Sequence, residues 1–109
     1  MSDTITLPGR PEVEREEKTR RQPPYNVILL DDDHHTFEYV IVMLHQLFGH
    51  PPERGYQMAC EVNDTGRVIV LTTTREHAEL KQEQIHAFGA DPLARESAGS
   101  MTAIIEPAC

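Results

Sequence analysis

Long apolar runs are missing from this chain. Apolar residues make up 39% of it, yet no window approaches the ~20 consecutive apolar residues of a membrane span. The opening Met1-Ser2-Asp3-Thr4-Ile5-Thr6-Leu7-Pro8 lacks a basic segment followed by an apolar one, so no secretory signal is expected. Cysteine is scarce. Cys60 and Cys109 form neither a Cys-x-x-Cys pair nor a disulfide framework, which favours a reducing, cytoplasmic setting. Positive charge is also in deficit. Ten Lys and Arg face eighteen Asp and Glu, for a net charge of -8, which disfavours nucleic acid, whose binding depends on neutralising phosphates. Cationic ligands or basic partner patches suit such a chain better. No nucleophile–base pair, phosphate loop, internal repeat or low-complexity tract is visible, so an enzyme is not expected.

What is present fits one small domain, as 109 residues allow. Residues 1 to about 23 interleave Glu12, Glu14, Glu16 and Glu17 with Arg15, Lys18, Arg20 and Arg21. Almost nothing there is apolar enough to offset the entropy of ordering, so a flexible charged tail is expected, closed by Pro23-Pro24. Residues 24–109 form the core domain. Tyr25-Asn26-Val27-Ile28-Leu29-Leu30 reads as a buried strand. Thr36 can cap a helix whose apolar stripe is Phe37, Val40, Ile41, Leu44, Leu47 and Phe48, ended by Gly49. Pro51-Pro52-Glu53 suits the start of a second helix running to about Val62, with Asn63-Asp64-Thr65-Gly66 as the turn. Residues 67–71 read as a strand. Thr73 and Glu76 have capping-box spacing, and a third helix follows to Phe88, stopped by Gly89 and Pro92. Residues 90–99 are loop-like and 101–106 a last strand. The expectation is an α+β fold: a three-stranded antiparallel sheet packed against three helices, in the order β-α-α-β-α-β.

Chemistry is concentrated in Asp31-Asp32-Asp33-His34-His35, where three carboxylates sit at a strand-to-helix junction. Such a site wants a cation. Carboxylates and imidazoles are both metal ligands, and a small metal-binding protein or hydrolase centred on Asp31 to His35 is one reading. Contiguity weighs against it, because adjacent side chains of an extended segment point to opposite faces. No spaced His/Asp set lies elsewhere to complete a shell, and His50, His77 and His86 read as solvated. A plainer alternative is that Asp32 and Asp33 cap the helix and stay wet.

The apolar run into Asp31-Asp32-Asp33, followed by Phe37-Glu38-Tyr39-Val40-Ile41, resembles the ClpS family of adaptors, whose hallmark is an apolar strand ending in Asn-Asp-Asp. The resemblance continues through Glu53-Arg54, the turn after Val62, Gly66, and Thr74-Arg75-Glu76-His77-Ala78-Glu79-Leu80-Lys81. It covers Pro24 to about Glu106. ClpS-like proteins recognise the free N-terminus of proteins whose first residue is bulky and apolar. They deliver these N-degrons to a Clp-type AAA+ unfoldase and its protease. The resemblance implies a non-enzymatic, monomeric, cofactor-free adaptor with no metal. A peptide's α-amino group, with a pKa near ~8, is an ammonium with three donors at neutral pH, and converging acceptors suit it.

Carried over by position, Asp31, Asp32 and Asp33 would contact the amine and first peptide unit, with Asn63 completing the cage. The family has Asn at Asp31 and His at Asn63, so the detail differs. The side-chain pocket would be lined by Leu30, His35, Phe37, Val40, Ala59, Val62 and Met101. Phe37 and Ala59 stand where the family usually has Met, and His35 where it has Thr, so the pocket is expected to be reshaped. Leu and aromatic first residues are expected, with Ile or Val now admitted. Glu76 and Lys81 match positions that touch the N-terminal domain of a ClpA- or ClpC-type unfoldase. The same substitutions leave open an interaction module that kept the fold and lost N-degron binding.

Overall fold

The computed structural model describes residues 23–32, 34–91 and 99–108. Residues 1–22 of the expected tail, Asp33 and most of the expected 90–99 loop lie outside these. Six elements follow in order: β1 (Tyr25–Leu30), α1 (Phe37–Phe48), α2 (Pro52–Thr65), β2 (Arg67–Thr73), α3 (Arg75–His86) and β3 (Thr102–Pro107). This is the expected order and class. The strands form one antiparallel sheet with β1 in the centre, in the order β2-β1-β3.

Alternation along β1 decides what the sheet shows to the helices. Val27 and Leu29 enter the core with Val68 and Val70 of β2, Ala103 of β3, and Val40, Met43 and Leu44 of α1. Ile28 stands between Ile69 and Ile104 in the strand register. It is 1% exposed, whereas Ile69 is 47% exposed, so the flanking strands cover it without its joining that core. A register shift between Val27 and Ile28 leaves Val70 as an extra residue on β2, the mark of a β-bulge.

Capping sets the helix ends. Thr36 caps α1, its hydroxyl accepting the Tyr39 N–H at 3.2 Å, and Gly49 at φ 77° closes it. Helix α2 runs past Val62 to Thr65, longer than the sequence suggests, and stops at Gly66 with φ 91°. Thr65 turns its hydroxyl back to the Glu61 carbonyl at 2.8 Å, so the polar Asn63-Asp64-Thr65 forms the last turn of the helix. Helix α3 is capped by Thr74, which accepts the His77 N–H at 3.2 Å. The Thr73–Glu76 box is therefore replaced by a cap one residue later, and α3 ends at His86, two residues short of Phe88. Strands β2 and β3 reach two and one residues further than expected, to Thr73 and Pro107. No described helix is long and apolar enough to cross a membrane.

Candidate functional site

The end of β1, the start of α1, the C-terminal half of α2 and the segment before β3 converge on a cavity of about 150 Å³. A cavity of about 150 Å³ is large enough for a benzene-sized guest. Phe37 and Val40 of α1 line it together with Ala59 and Val62 of α2 and Met101. Asp31, His35 and Asn63 supply polar groups to the same cavity. Eight residues expected from sequence are thus brought together from four separate parts of the chain.

The parity of β1 explains which acidic residue reaches the cavity. Asp31 shares the side of Leu29, and its N–H donates to the Gly66 carbonyl at 3.1 Å. That bond ties the strand end to the αL stop of α2, one turn beyond Asn63. Leu30, expected in the pocket, falls on the opposite side of the strand and does not line the cavity. It is flanked there by Arg67 and Thr102. Asp32 likewise does not line the cavity. Its carboxylate accepts the His34 N–H at 3.0 Å and faces His35 Nδ1 at 2.8–2.9 Å. Asp33 lies outside the described residues.

His35 is deeply enclosed, its side chain 3% exposed. Its Nε2 lies 2.8 Å from the Gly99 carbonyl, and its ring rests on Tyr39 at 4.5 Å between centroids. Tyr39 in turn donates its hydroxyl to the Gly89 carbonyl at 2.6 Å and meets Phe88 edge-on. Burial pushes the Tyr39 phenol above its ordinary pKa of 10.0. The Asp91 and Asp32 carboxylates push the same way, against a backbone hydrogen bond from Met101. Phe37 is held edge-on by Tyr56 at 5.9 Å.

Asp91, read only as loop in the sequence, is a buried support of this site. At 3% exposure it accepts the Thr36 N–H at 2.7 Å and the Thr36 hydroxyl at 2.9 Å. It anchors the helix cap from 55 residues away, a separation no local pattern could reveal. Two histidines expected to be solvated are also engaged. His50 bonds the Val70 carbonyl at 2.8 Å, and His86 Nε2 accepts the Ala103 N–H at 3.1 Å. Glu76 is exposed on α3 beside a wide concavity shared with Pro23, Tyr25, Arg75 and Glu79. Lys81 is half-buried, donating to the Leu47 carbonyl at 2.5 Å and lying over the Phe48 ring. Among the described residues no three His, Cys, Asp or Glu side chains form a group able to hold a metal.

Fold and cavity together define a small α+β domain with one pocket whose lining joins a carboxylate, an imidazole and an amide to apolar side chains. The family model described as the ATP-dependent Clp protease adaptor protein ClpS matches residues 20–94, and the chain belongs to that family. An adapter protein ClpS of Aromatoleum aromaticum is 36% identical over 74 residues, covering 66% of this chain and 72% of that protein. One from Xylella fastidiosa is 37% identical over 71 residues, covering 65% and 67%. In three dimensions the chain is similar to Agrobacterium tumefaciens ClpS2, solved bound to L-phenylalaninamide. The TM-score is 0.70 at 26% identity, covering 80% of this chain and 99% of that one.

Proposed function

We propose that this chain is a non-enzymatic adaptor that binds the free N-terminus of proteins beginning with a bulky apolar residue and delivers them to a Clp-type unfoldase. The observation that carries this reading is the union, in one cavity, of Asp31 and Asn63 with the apolar surfaces of Phe37, Val40, Ala59, Val62 and Met101. A carboxylate and a side-chain amide oxygen both accept from an ammonium, and neither needs a metal to do so. An apolar pocket beside them suits the first side chain. That the similar ClpS2 was solved with L-phenylalaninamide, an amine and an aromatic side chain in one small molecule, supports the same use here.

In this reading Asp31 and Asn63 hold the amine, and Asp33 adds a further contact to it or to the first peptide unit. Asp32 contributes through His35. Leu and aromatic first residues enter the pocket, and the small Ala59 leaves space for Ile or Val. Residues 24–109 are the adaptor core. Residues 1–23 act as an extension toward the unfoldase, whose N-terminal domain, of ClpA or ClpC type, meets α3 near Glu76 and Lys81. The adaptor works as a monomer in the cytoplasm, where ATP supplies the unfoldase.

Titration of the ¹⁵N-labelled protein with L-phenylalaninamide tests the site. Saturable shifts centred on the amides of Asp31, Asn63 and Met101 are expected. Shifts centred instead on the α3 concavity, or none, would refute it.

A further inference from the structure

We propose that His35 is a specificity-determining residue of this pocket. Held as an imidazolium between Asp32 and Gly99, it sets a cationic ring against the first side chain and selects aromatic over aliphatic residues. The inference rests on the N-terminus-binding reading of the same site and adds the chemistry of the residue it takes.

The geometry carries the charge state. Nδ1 lies 2.8–2.9 Å from the Asp32 carboxylate and Nε2 2.8 Å from the Gly99 carbonyl. A neutral imidazole has one N–H and one lone pair, so one of these two contacts would set lone pair against lone pair. The imidazolium donates to both. Asp32 already accepts the His34 N–H, which suits an ionised carboxylate. Among the described residues, the groups around the ring have the same sense. Asp31 lines the same cavity, Asp91 is bonded to the adjoining Thr36, and Tyr39 of α1 supports the ring with an un-ionised phenol. From α2 the neutral Asn63 faces the cavity.

With both nitrogens engaged, His35 offers the cavity no hydrogen-bonding site of its own. What remains is the carbon skeleton of a cation, shielded from water. Such a wall attracts the face of an aromatic ring and gives an aliphatic side chain no comparable gain. The cavity volume of about 150 Å³ admits a phenyl ring. His35 also joins the Asp32 turn to Gly99, two residues before Met101, so the same proton secures the Met101 wall.

The test is fluorescence anisotropy at one fixed pH with peptides that differ only in a first Phe or Leu, plus the acetylated Phe peptide. The α-amine is common to the two free peptides and cancels from their affinity ratio. The native protein is expected to favour Phe over Leu about threefold or more. In His35→Gln the ratio is expected to fall toward one. Nitrogen NMR of the native protein provides a readout independent of the variant's folding: both His35 ring nitrogens should carry protons. A Phe-to-Leu ratio that His35→Gln leaves unchanged, or a neutral His35 ring in the native protein, overturns the proposal. Failure of both free peptides to outbind the acetylated one overturns the reading beneath it.

Discussion

Asp31 and Asn63 reach one cavity from the end of a strand and the last turn of a helix, and the Asp31–Gly66 bond fixes that approach. Each is expected to hold the amine through a charge-assisted bond, so Asp31→Ala or Asn63→Ala should weaken binding of a free N-terminal peptide about tenfold or more, measured by calorimetry. Asp91 acts differently. Asp91→Ala strands the Thr36 N–H and hydroxyl inside the protein, and thermal denaturation should show a loss of about 1–3 kcal/mol. Tyr39 gives the protein an alkaline limit. Its phenol ionises at higher pH in the folded state than in the unfolded chain. The folded state therefore holds the proton longer, and this contribution to stability is intact below about pH 10 and is lost as pH rises above it. The fall in melting temperature between about pH 9 and pH 11 should accordingly be shallower in Tyr39→Phe than in the native protein. Asp91 and Gly99 are illegible in the sequence for one reason: their partners Thr36 and His35 lie 55 and 64 residues away. Periodicity and turn chemistry report only on near neighbours.

At the scale of elements, the apolar stripe of α1 and the aliphatic run of β1 are both legible in the sequence, because burial on one face leaves a periodic trace. Ends are less legible. Asn63-Asp64-Thr65 looks like a turn by composition, yet the helix continues until Gly66 supplies the left-handed backbone that stops it. Alternation along β1 also puts Leu30 outside the pocket, a consequence of strand parity that similarity by position does not carry. Two glycines control how these elements meet. Gly66 at φ 91° cannot take a β-carbon without strain, so Gly66→Ala should cost about 1–2 kcal/mol in denaturant unfolding. It should also weaken peptide binding, since Asp31 bonds its carbonyl. At Gly55 a β-carbon would lie 3.3 Å from the Ile41 backbone. Gly55→Val would press α1 from α2, whose facing sides hold Phe37, Val40, Ala59 and Val62.

For the whole molecule, two expected docking residues separate by environment. Glu76 is exposed, whereas Lys81 closes the last turn of α1 through the Leu47 carbonyl. Glu76→Ala should lower affinity for the unfoldase's N-terminal domain and leave the melting temperature nearly unchanged. Lys81→Ala should lower both, as docking and thermal denaturation measured side by side would show. Three of the eighteen Asp and Glu residues stand together in the sequence at the β1–α1 junction, and the fold divides the work of two of them: Asp31 lines the cavity while Asp32 steadies His35. Everything proposed for the molecule depends on this junction recognising an ammonium at the end of a chain. Calorimetric titration with one Phe-initiated peptide, free and N-acetylated, isolates that step. Saturable binding of the free peptide and at least a tenfold loss on acetylation are expected; equal affinity for the two would contradict ammonium recognition.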